Sequence, residues 1–423
     1  MNQFSKEERV AFETLLEGFQ DAAVMSKNIS VYRMPDVEAE RANNIIWRPM
    51  PYILPSFDGT DQTTNFNDAA QLSVPATLGF NKSVPWVMSA TDLRDALQEG
   101  RLGDAAKQKL ASDISVAVNR IAAYQGTLVV KRTVAATGFD DVALCDAIFN
   151  EQGIPFEDRY LALSTRDYNN MASGLASRGT MNQKPTNAYE NAYVGRISGF
   201  ETFKMDNALR LAAAAGGGGI TMSTLDAAAQ YYIPQATRTA SGGTGETSNV
   251  DNRYQQLTWS STANVVAGDC FTIATVNAVH HITKQDTGQL KTFRVISVDS
   301  GTVVTVSPPL ITNQVASDAG TQYQNCTIGT KAANSAIVFL NTVAAFANCF
   351  WQKDALELIP GRYAVPSDAG VNVMRGKTEQ GVELVMQKFY DINTMKTKYR
   401  LDTIFGVVNK QPQMSGLILF SQT

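Results

Sequence analysis

Phe12, Leu15, Leu16, Phe19, Ala22 and Ala23 recur at three- and four-residue spacing through residues 5–27. That period predicts an amphipathic helix with one apolar stripe, and Ser5 and Glu8 stand in capping-box relation at its start. Such a helix either packs on its own domain or serves as an arm that docks on another chain; spacing alone leaves both open. A longer helical run follows, with Ala106, Leu110, Ile114, Ala117, Val118 and Ile121 on one face. Asp104 as N-cap and Gly126 at the end would bound a helix roughly 33 Å long. Thr127-Leu128-Val129-Val130 then reads as a strand.

Between these helices the texture changes. Pro49, Pro51, Pro55, Pro75 and Pro85 interrupt residues 44–90, so no long helix is expected there. Short apolar patches such as Ile45-Ile46-Trp47 alternate with polar loops such as Asp58-Gly59-Thr60-Asp61, the signature of a long excursion or hairpin.

Residues 140–215 alternate helix and strand patterns: a helix over Asp140–Asn150, a strand over Arg159–Leu163, a helix capped by Ser164 or Thr165, and a strand over Phe200–Lys204. This is a mixed α/β core. Residues 212–219, Ala-Ala-Ala-Ala-Gly-Gly-Gly-Gly, mark a domain boundary. Ile220-Thr221-Met222 follows where a phosphate loop would need Gly-Lys-Ser/Thr, so the nucleotide reading is weak. Residues 220–331 predict strands at Tyr254–Trp259, Cys270–Val276, Leu290–Val298 and Thr302–Val306, the last two joined through Asp299-Ser300-Gly301. They describe a small inserted β-barrel or sandwich. Further on, Ile337–Leu340, Val382–Tyr390 and Thr397–Val408 read as strands. In the last of these, Lys398, Arg400 and Asp402 alternate with Tyr399, Leu401, Thr403 and Phe405 on a half-buried sheet.

Composition narrows the function. The 423 residues carry 44% hydrophobic side chains and a net charge of −4, ordinary for a globular chain and wrong for a general nucleic-acid binder. The first residues lack the charged start and apolar run of a secretion signal. No apolar run is long enough for a membrane helix. Cys145, Cys270, Cys326 and Cys349 lack zinc-ligand spacing. The only histidines, His280 and His281, are expected as surface loop residues of the β insertion rather than as a general base. There is no nucleophile elbow, and Asp92 and Asp95 read as a solvated helix start favoured by the dipole. Catalytic, cofactor-binding and metal-ligating residues are therefore each expected to number none. The glycine run offers the only, weak, hint of nucleotide chemistry. Trp47, Trp86, Trp259 and Trp351 are expected in packing; a sugar platform at Trp259 would make the chain a carbohydrate-binding or hydrolytic β-rich protein.

Three groups of residues carry a resemblance. The first is Asn44-Ile45-Ile46-Trp47-Arg48-Pro49 with Thr91-Asp92-Leu93-Arg94-Asp95 and the long helix. The second is Val250-Asp251-Asn252-Arg253-Tyr254. The third is Phe350-Trp351-Gln352-Lys353-Asp354-Ala355-Leu356, then Tyr390-Asp391-Ile392, Tyr399-Arg400-Leu401-Asp402 and Phe405-Gly406. In this order, over nearly the whole chain, they resemble the tailed-bacteriophage major capsid proteins of the Hong Kong 97-type fold, most closely the coat proteins of short-tailed Salmonella and Shigella phages.

The resemblance implies an α+β fold with an N-terminal arm (1–47), an extended loop (48–86) and a peripheral domain with its spine helix (87–133). An axial domain (134–215 and 332–380), an inserted β-barrel-like domain (216–331) and peripheral C-terminal strands (381–423) complete it. It further implies an icosahedral shell of pentamers and hexamers. Expected partners are copies of the chain, a separate scaffolding protein, a portal protein at one vertex and non-specifically packaged double-stranded DNA, with no membrane. About 45 residues before the extended loop are too few for a fused scaffold. The expected site is the virion, assembled in the host bacterial cytoplasm, locked without covalent cross-links. The loop at 240–249 is expected to reach across two-fold contacts between capsomers. The mild net charge suits a wall along which DNA slides, because a basic wall would hold phosphates by counterion release. Deleting residues 1–27 is predicted to leave a folded monomer, seen by circular dichroism, that fails to form normal shells by electron microscopy.

Overall fold

The chain is described from a computed structural model. It describes residues 96–177, 194–216, 219–222, 250–312, 322–328, 335–364, 372–378 and 381–423. Within the first ninety residues it describes 25–33, 45–51, 53–54, 56–63, 65–66 and 71–89, with isolated positions elsewhere. The expected arm helix and the 240–249 loop fall almost entirely outside the described residues. Of the former, Arg9 and Phe12 are described as helical, with Phe12 buried, and Met25–Lys27 belong to a short 3-10 turn, Met25–Asn28.

Contacts divide the chain into two compact units: Met1–Ile46, Ala76–Arg120 and Glu357–Val408; and Trp47–Pro75, Ile121–Leu356 and Asn409–Thr423. The long helix, α1 (Ala96–Gln125), contributes residues to both. It begins eight residues before the predicted Asp104, which instead pairs with Lys107 one turn on at 3.1 Å. The carboxylate there serves an exposed i,i+3 pair, not a cap. The predicted end holds: Gly126 follows Gln125, and a Cβ at Gly126 would lie 2.8 Å from the Ala122 carbonyl and 3.2 Å from Gly416.

In the second unit, a mixed sheet runs in the order Leu128–Lys131, Ser415–Leu419, Asn348–Gln352, Arg159–Ser164, Phe200–Met205 and Arg196–Ile197. Helices α2 (Phe139–Glu151) and α3 (Thr165–Ala176) supply Val142, Cys145, Phe149, Tyr168 and Met171 to a core with Leu161, Phe200, Phe350 and Ile418. Local signals account for both helix starts. The Ser164 hydroxyl accepts the Asp167 amide at 3.2 Å, a side-chain N-cap. Buried Asp141 accepts the Thr137 and Gly138 amides at 2.6 and 3.2 Å and pairs with Arg132 at 2.7 Å.

The inserted domain forms an antiparallel sheet in the order Thr221–Met222, Ser335–Phe339, Cys270–Val279, Asp286–Val298, Val303–Ser307 and Gln255–Thr258. A bridge between Met222 and Trp259 joins its first and last strands into a barrel, as the β-rich pattern predicts. Trp259, Phe271 and Phe293 fill it. Trp259 meets Phe271 edge-on at 4.9 Å, and Phe271 stacks on its cross-strand partner Phe293 at 5.5 Å. Ser335–Phe339 lies beyond the expected boundary at 331. It belongs to the barrel because Phe271, Thr272 and Ile273 pair with Phe339, Val338 and Ile337.

In the first unit, Lys396–Asn409 is central. It pairs with Glu383–Asp391 on one side and with Phe80–Ser89 on the other, from Ser89–Lys396 to Phe80–Phe405. Trp86 stacks on Tyr399 at 5.6 Å and Phe80 on Phe405 at 5.3 Å. Pro85 lies within its strand, as Pro49 and Pro75 do within Ile45–Pro49 and Ser73–Thr77. These prolines sit in strands with few neighbours, where a missing donor is tolerated. Lys398 and Arg400 are exposed as predicted, but Asp402 is buried against Arg400 at 2.7 Å. Ser415–Leu419, expected with the peripheral strands, is instead hydrogen-bonded into the mixed sheet between Leu128–Lys131 and Asn348–Gln352.

The four cysteines are free and buried. Burial pushes the Cys145 thiol far up and those of Cys326 and Cys349 to about 12, which leaves little thiolate to react. A Cβ at Gly416 would lie 2.3 Å from the Leu128 carbonyl and 2.6 Å from Phe350. Gly416→Ala is therefore predicted to lower stability by roughly 1–3 kcal/mol through overpacking, measured by urea unfolding of the monomer.

Candidate assembly site

The excursion between the two predicted helices is the most unusual part of the second unit. Its arms pair as Ile45–Pro49 against Ser73–Thr77, extended by the Met50 amide donating to the Leu72 carbonyl at 2.8 Å. Polarity runs opposite to that of a free-standing hairpin. Ile45, Trp47, Leu54, Phe57 and Phe66 are exposed, Phe66 at 87%. Between them the chain turns locally: Gly59 has φ 99°, and Asp61 accepts the Thr63 amide and hydroxyl at 3.1 and 2.5 Å. Those bonds hold the Asp61 carboxyl below its ordinary range.

The base of the excursion is fixed. Leu72, Ile311 and Tyr323 form a buried cluster with Met50, Ile53 and Tyr232 packed on it. Beside it, Arg253 donates to both Asp251 carboxylate oxygens, at 3.0 and 2.8 Å, and to the Asn409 carbonyl at 2.9 Å. A longer bond reaches the Pro75 carbonyl at 3.5 Å. One buried guanidinium thus joins the start of the barrel, the end of the excursion and the turn after Lys396–Asn409. Arginine suits the place because its fork of donors serves several acceptors at once.

The barrel is anchored to the α/β core along Asp286–Val298. Arg294, fully buried, donates to the Ala123 carbonyl in the last turn of α1 and to the Cys270 sulfur at 2.9 Å. Thr292 donates to the Thr127 carbonyl at 2.6 Å. At the other end of the strand pair, the His281 amide donates to the Gln152 carbonyl at 2.9 Å. There a Cβ at Gly153, whose φ is 74°, would lie 2.5 Å from the His280 ring. The His280 Nδ1 accepts the Ile282 and Thr283 amides. The histidines therefore lie in a barrel loop but not at its surface as expected: both are half-buried, because that loop packs against the core. Among the described residues, no group of His, Cys, Asp and Glu is arranged to hold a metal, and no helix is long and apolar enough to cross a membrane.

With this geometry in view, the comparison with known families is decisive. Residues 1–421 match the family described as "P22 coat protein - gene protein 5". The chain belongs to the P22 coat protein family. It is a bacteriophage major capsid protein of the Hong Kong 97-type fold, a virion component that forms the icosahedral shell. Among solved structures, the chain is similar to that of Mycobacterium phage Che8, at 9% identity and TM-score 0.44, over 93% of this chain and 90% of that one. It is similar to the mature capsid of bacteriophage PhiM1, at 9% identity and TM-score 0.44, over 94% and 87%. The I-domain of the CUS-3 coat protein matches at 36% identity and TM-score 0.22, over 30% of this chain and 99% of that one.

For a coat protein, the placement of the tryptophans matters. Trp259 and Trp351 are each 1% exposed, so the sugar platform considered at Trp259 does not exist. Trp86 is stacked on Tyr399, and Trp47 alone is appreciably exposed, on the excursion. Gly216 of the glycine run lies under the Phe339 ring, where a Cβ would come within 2.6 Å; its role is packing. Sequence reading singled out Arg253 only as part of a family motif and missed Arg294, because no local period distinguishes a buried arginine from a surface one. In this coat protein, Arg253→Met is predicted to leave the Asp251 charge and two carbonyls without their donor. The predicted cost is roughly 3–5 kcal/mol, with faster amide hydrogen exchange in peptides covering 70–75 and 250–256.

Proposed function

We propose that the excursion is the assembly arm of this coat protein, lying on a neighbouring copy in the shell. The observation that carries this reading is its polarity: a buried root at Leu72, Tyr323 and Ile311 holds out Trp47, Leu54, Phe57 and Phe66 to solvent. Exposed aromatic groups on a fixed base are what a protein–protein contact uses. In the accompanying division of labour, residues 1–47 form the N-terminal arm and 48–86 the extended loop. Residues 87–133 give the peripheral domain with its spine helix, 134–215 and 332–380 the axial domain apart from Ser335–Phe339, and 381–423 the peripheral strands apart from Ser415–Leu419, which lies in the mixed sheet. The insertion domain spans 216–331 with the added strand Ser335–Phe339, and its 240–249 loop reaches across capsomer two-folds.

The same reading supplies the partners. A separate scaffolding protein directs assembly in the bacterial cytoplasm, a portal protein takes one vertex, and the finished shell holds double-stranded DNA without sequence-specific contacts. The net charge of −4 supports loose contact with DNA. The subunit carries out no catalysis and uses no cofactor. Locking is non-covalent, through arm, loop and insertion domain.

Co-expression with a scaffolding protein, imaged by electron microscopy, tests the reading. The intact chain is expected to give closed shells. A chain in which Phe57 and Phe66 are both replaced by Ser is expected to give folded monomers with shell yield reduced about tenfold or more. Normal shells from that double variant would refute the arm assignment.

A further inference from the structure

The barrel is bonded to the α/β core at two places of different chemistry. Along Asp286–Val298, Arg294 and Thr292 hold the Ala123 and Thr127 carbonyls. Gly268 lies so close under the Tyr124 ring that a Cβ would come within 2.8 Å. A guanidinium and a hydroxyl keep their charge state throughout the mildly acid range. At the second place, loop 280–285 rests on the end of α2, where the His281 amide donates to the Gln152 carbonyl at 2.9 Å and the His280 ring lies against Gly153. Here the seated group is a histidine, which does titrate in that range.

Nothing around the His281 ring suits a proton. The space it lines has only about 60 Å³ free, room for roughly one or two waters. Its walls are mainly apolar, and among the described residues the imidazole has no hydrogen-bond partner. The side-chain oxygens of Asn325 and Gln413, which line the same space, are already taken by the Ile311 amide and by Lys291. The end of α2, the excursion and the link 411–414 bring only uncharged residues to it, such as Gln152, Met50 and Gln413. From the segment 322–328 come Tyr323, whose hydroxyl donates to the Pro51 carbonyl at 3.3 Å, and the buried thiol of Cys326 near Lys291. The charged groups that face the ring are cations: Lys284 beside His280 in its own loop, and Lys291 from the following strand. Lys284 donates to the Gln324 carbonyl at 3.1 Å and Lys291 to the Asn325 carbonyl at 2.9 Å. No carboxylate pairs with either lysine among the described residues.

An imidazolium formed here would be a third cation beside two ammonium groups, with no carboxylate and little water to meet it. We propose that His281 is a proton-operated latch between the barrel and the core: the neutral ring lets loop 280–285 seat on the end of α2, and the imidazolium drives it off. Release at this place leaves the bonds of Arg294 and Thr292 intact, so the barrel stays folded and gains freedom to turn about its remaining attachment. Burial first, then Lys284, Lys291 and His280, hold His281 down to about 4 from its ordinary 6.5. Seating is therefore fully stabilised above about 6.5 and weakens as pH falls from there towards 4. Lys284 and Lys291, lowered by burial to about 8, stay mostly charged across that range.

The test uses the purified full-length subunit and amide hydrogen exchange at pH 7 and pH 5, with protection corrected for the intrinsic pH dependence of exchange. Peptides covering 279–286 are expected to lose about twentyfold in protection, the factor for one imidazole that titrates at about 4 when seated and 6.5 when released. Peptides covering 159–164 in the mixed sheet and 292–297 in the barrel are expected to change less than about twofold. His281→Phe removes the titration and is expected to abolish the pH difference in 279–286. His280→Asn, whose amide oxygen replaces the ring acceptor, is expected to keep it. Because the chain has only two histidines, imidazole proton resonances give a second measurement should His281→Phe fail to fold: one ring is expected to titrate with a midpoint below about 5. Five results would each overturn the proposal: no pH difference in 279–286, an equal loss in all peptides, a difference that survives His281→Phe, one that disappears in His280→Asn, or both histidines titrating near 6.5.

Discussion

The contact between Arg294 and the last turn of α1 fixes how the barrel sits on the α/β core. A helix end leaves carbonyls without partners and carries the negative end of the helix dipole. Here the Ala123 carbonyl is met by a guanidinium from a barrel strand 171 residues away in sequence. Two residues earlier on that strand, Thr292 holds the Thr127 carbonyl, just where the chain leaves the helix for the mixed sheet. The insertion domain is therefore bonded to the helix end itself, beyond its covalent links. The arrangement is demanding, because the arginine Nε lies buried without a partner, so displacing this side chain would strand charge and carbonyl together.

The barrel in turn carries the excursion. Ile311 and Tyr323, in the chain between barrel strands, form with Leu72 the apolar seat on which the excursion rests, and Arg253 adds the polar tie. A hairpin with outward Ile, Trp and Phe would gain little by folding alone in water. Its stability comes from the root, and burial of its outward face requires another molecule. A shell built from many copies supplies such molecules at high local concentration. Folding and assembly thus use different faces of the same segment.

Charge is distributed with similar asymmetry. Exposed pairs such as Lys107–Asp104 and Lys109–Asp113 contribute little. Among the described residues, the buried basic groups are Arg159, Arg253, Lys291 and Arg294, and Arg159 and Arg253 have a close carboxylate, Asp146 and Asp251. Lys291 and Arg294 instead donate to uncharged acceptors, among them the Asn325 and Ala123 carbonyls. That choice fixes geometry through directional bonds.

Much of the local structure was legible in order of residues alone. The period-3.6 stripes of α1, α2 and α3, the Ser164 cap, the alternation along Lys396–Asn409 and the barrel strands all follow from chemistry within a few residues, which is why they could be read directly. The ordered family motifs likewise identified a capsid subunit. Local chemistry could not give the true start of α1, since the Asp104 pattern suits a cap and an exposed ion pair equally. Nor could it assign Ser335–Phe339 to the barrel, Ser415–Leu419 to the mixed sheet, or Pro85 to a strand, because each depends on a partner far along the chain. The same holds for Gly416 against Leu128, His280 against Gly153, and the burial of Arg253, Arg294 and Lys291. Sequence determined the elements and the family; only the tertiary structure decided which charges are buried and where the excursion is rooted, because both are set by contacts between segments that no local period records.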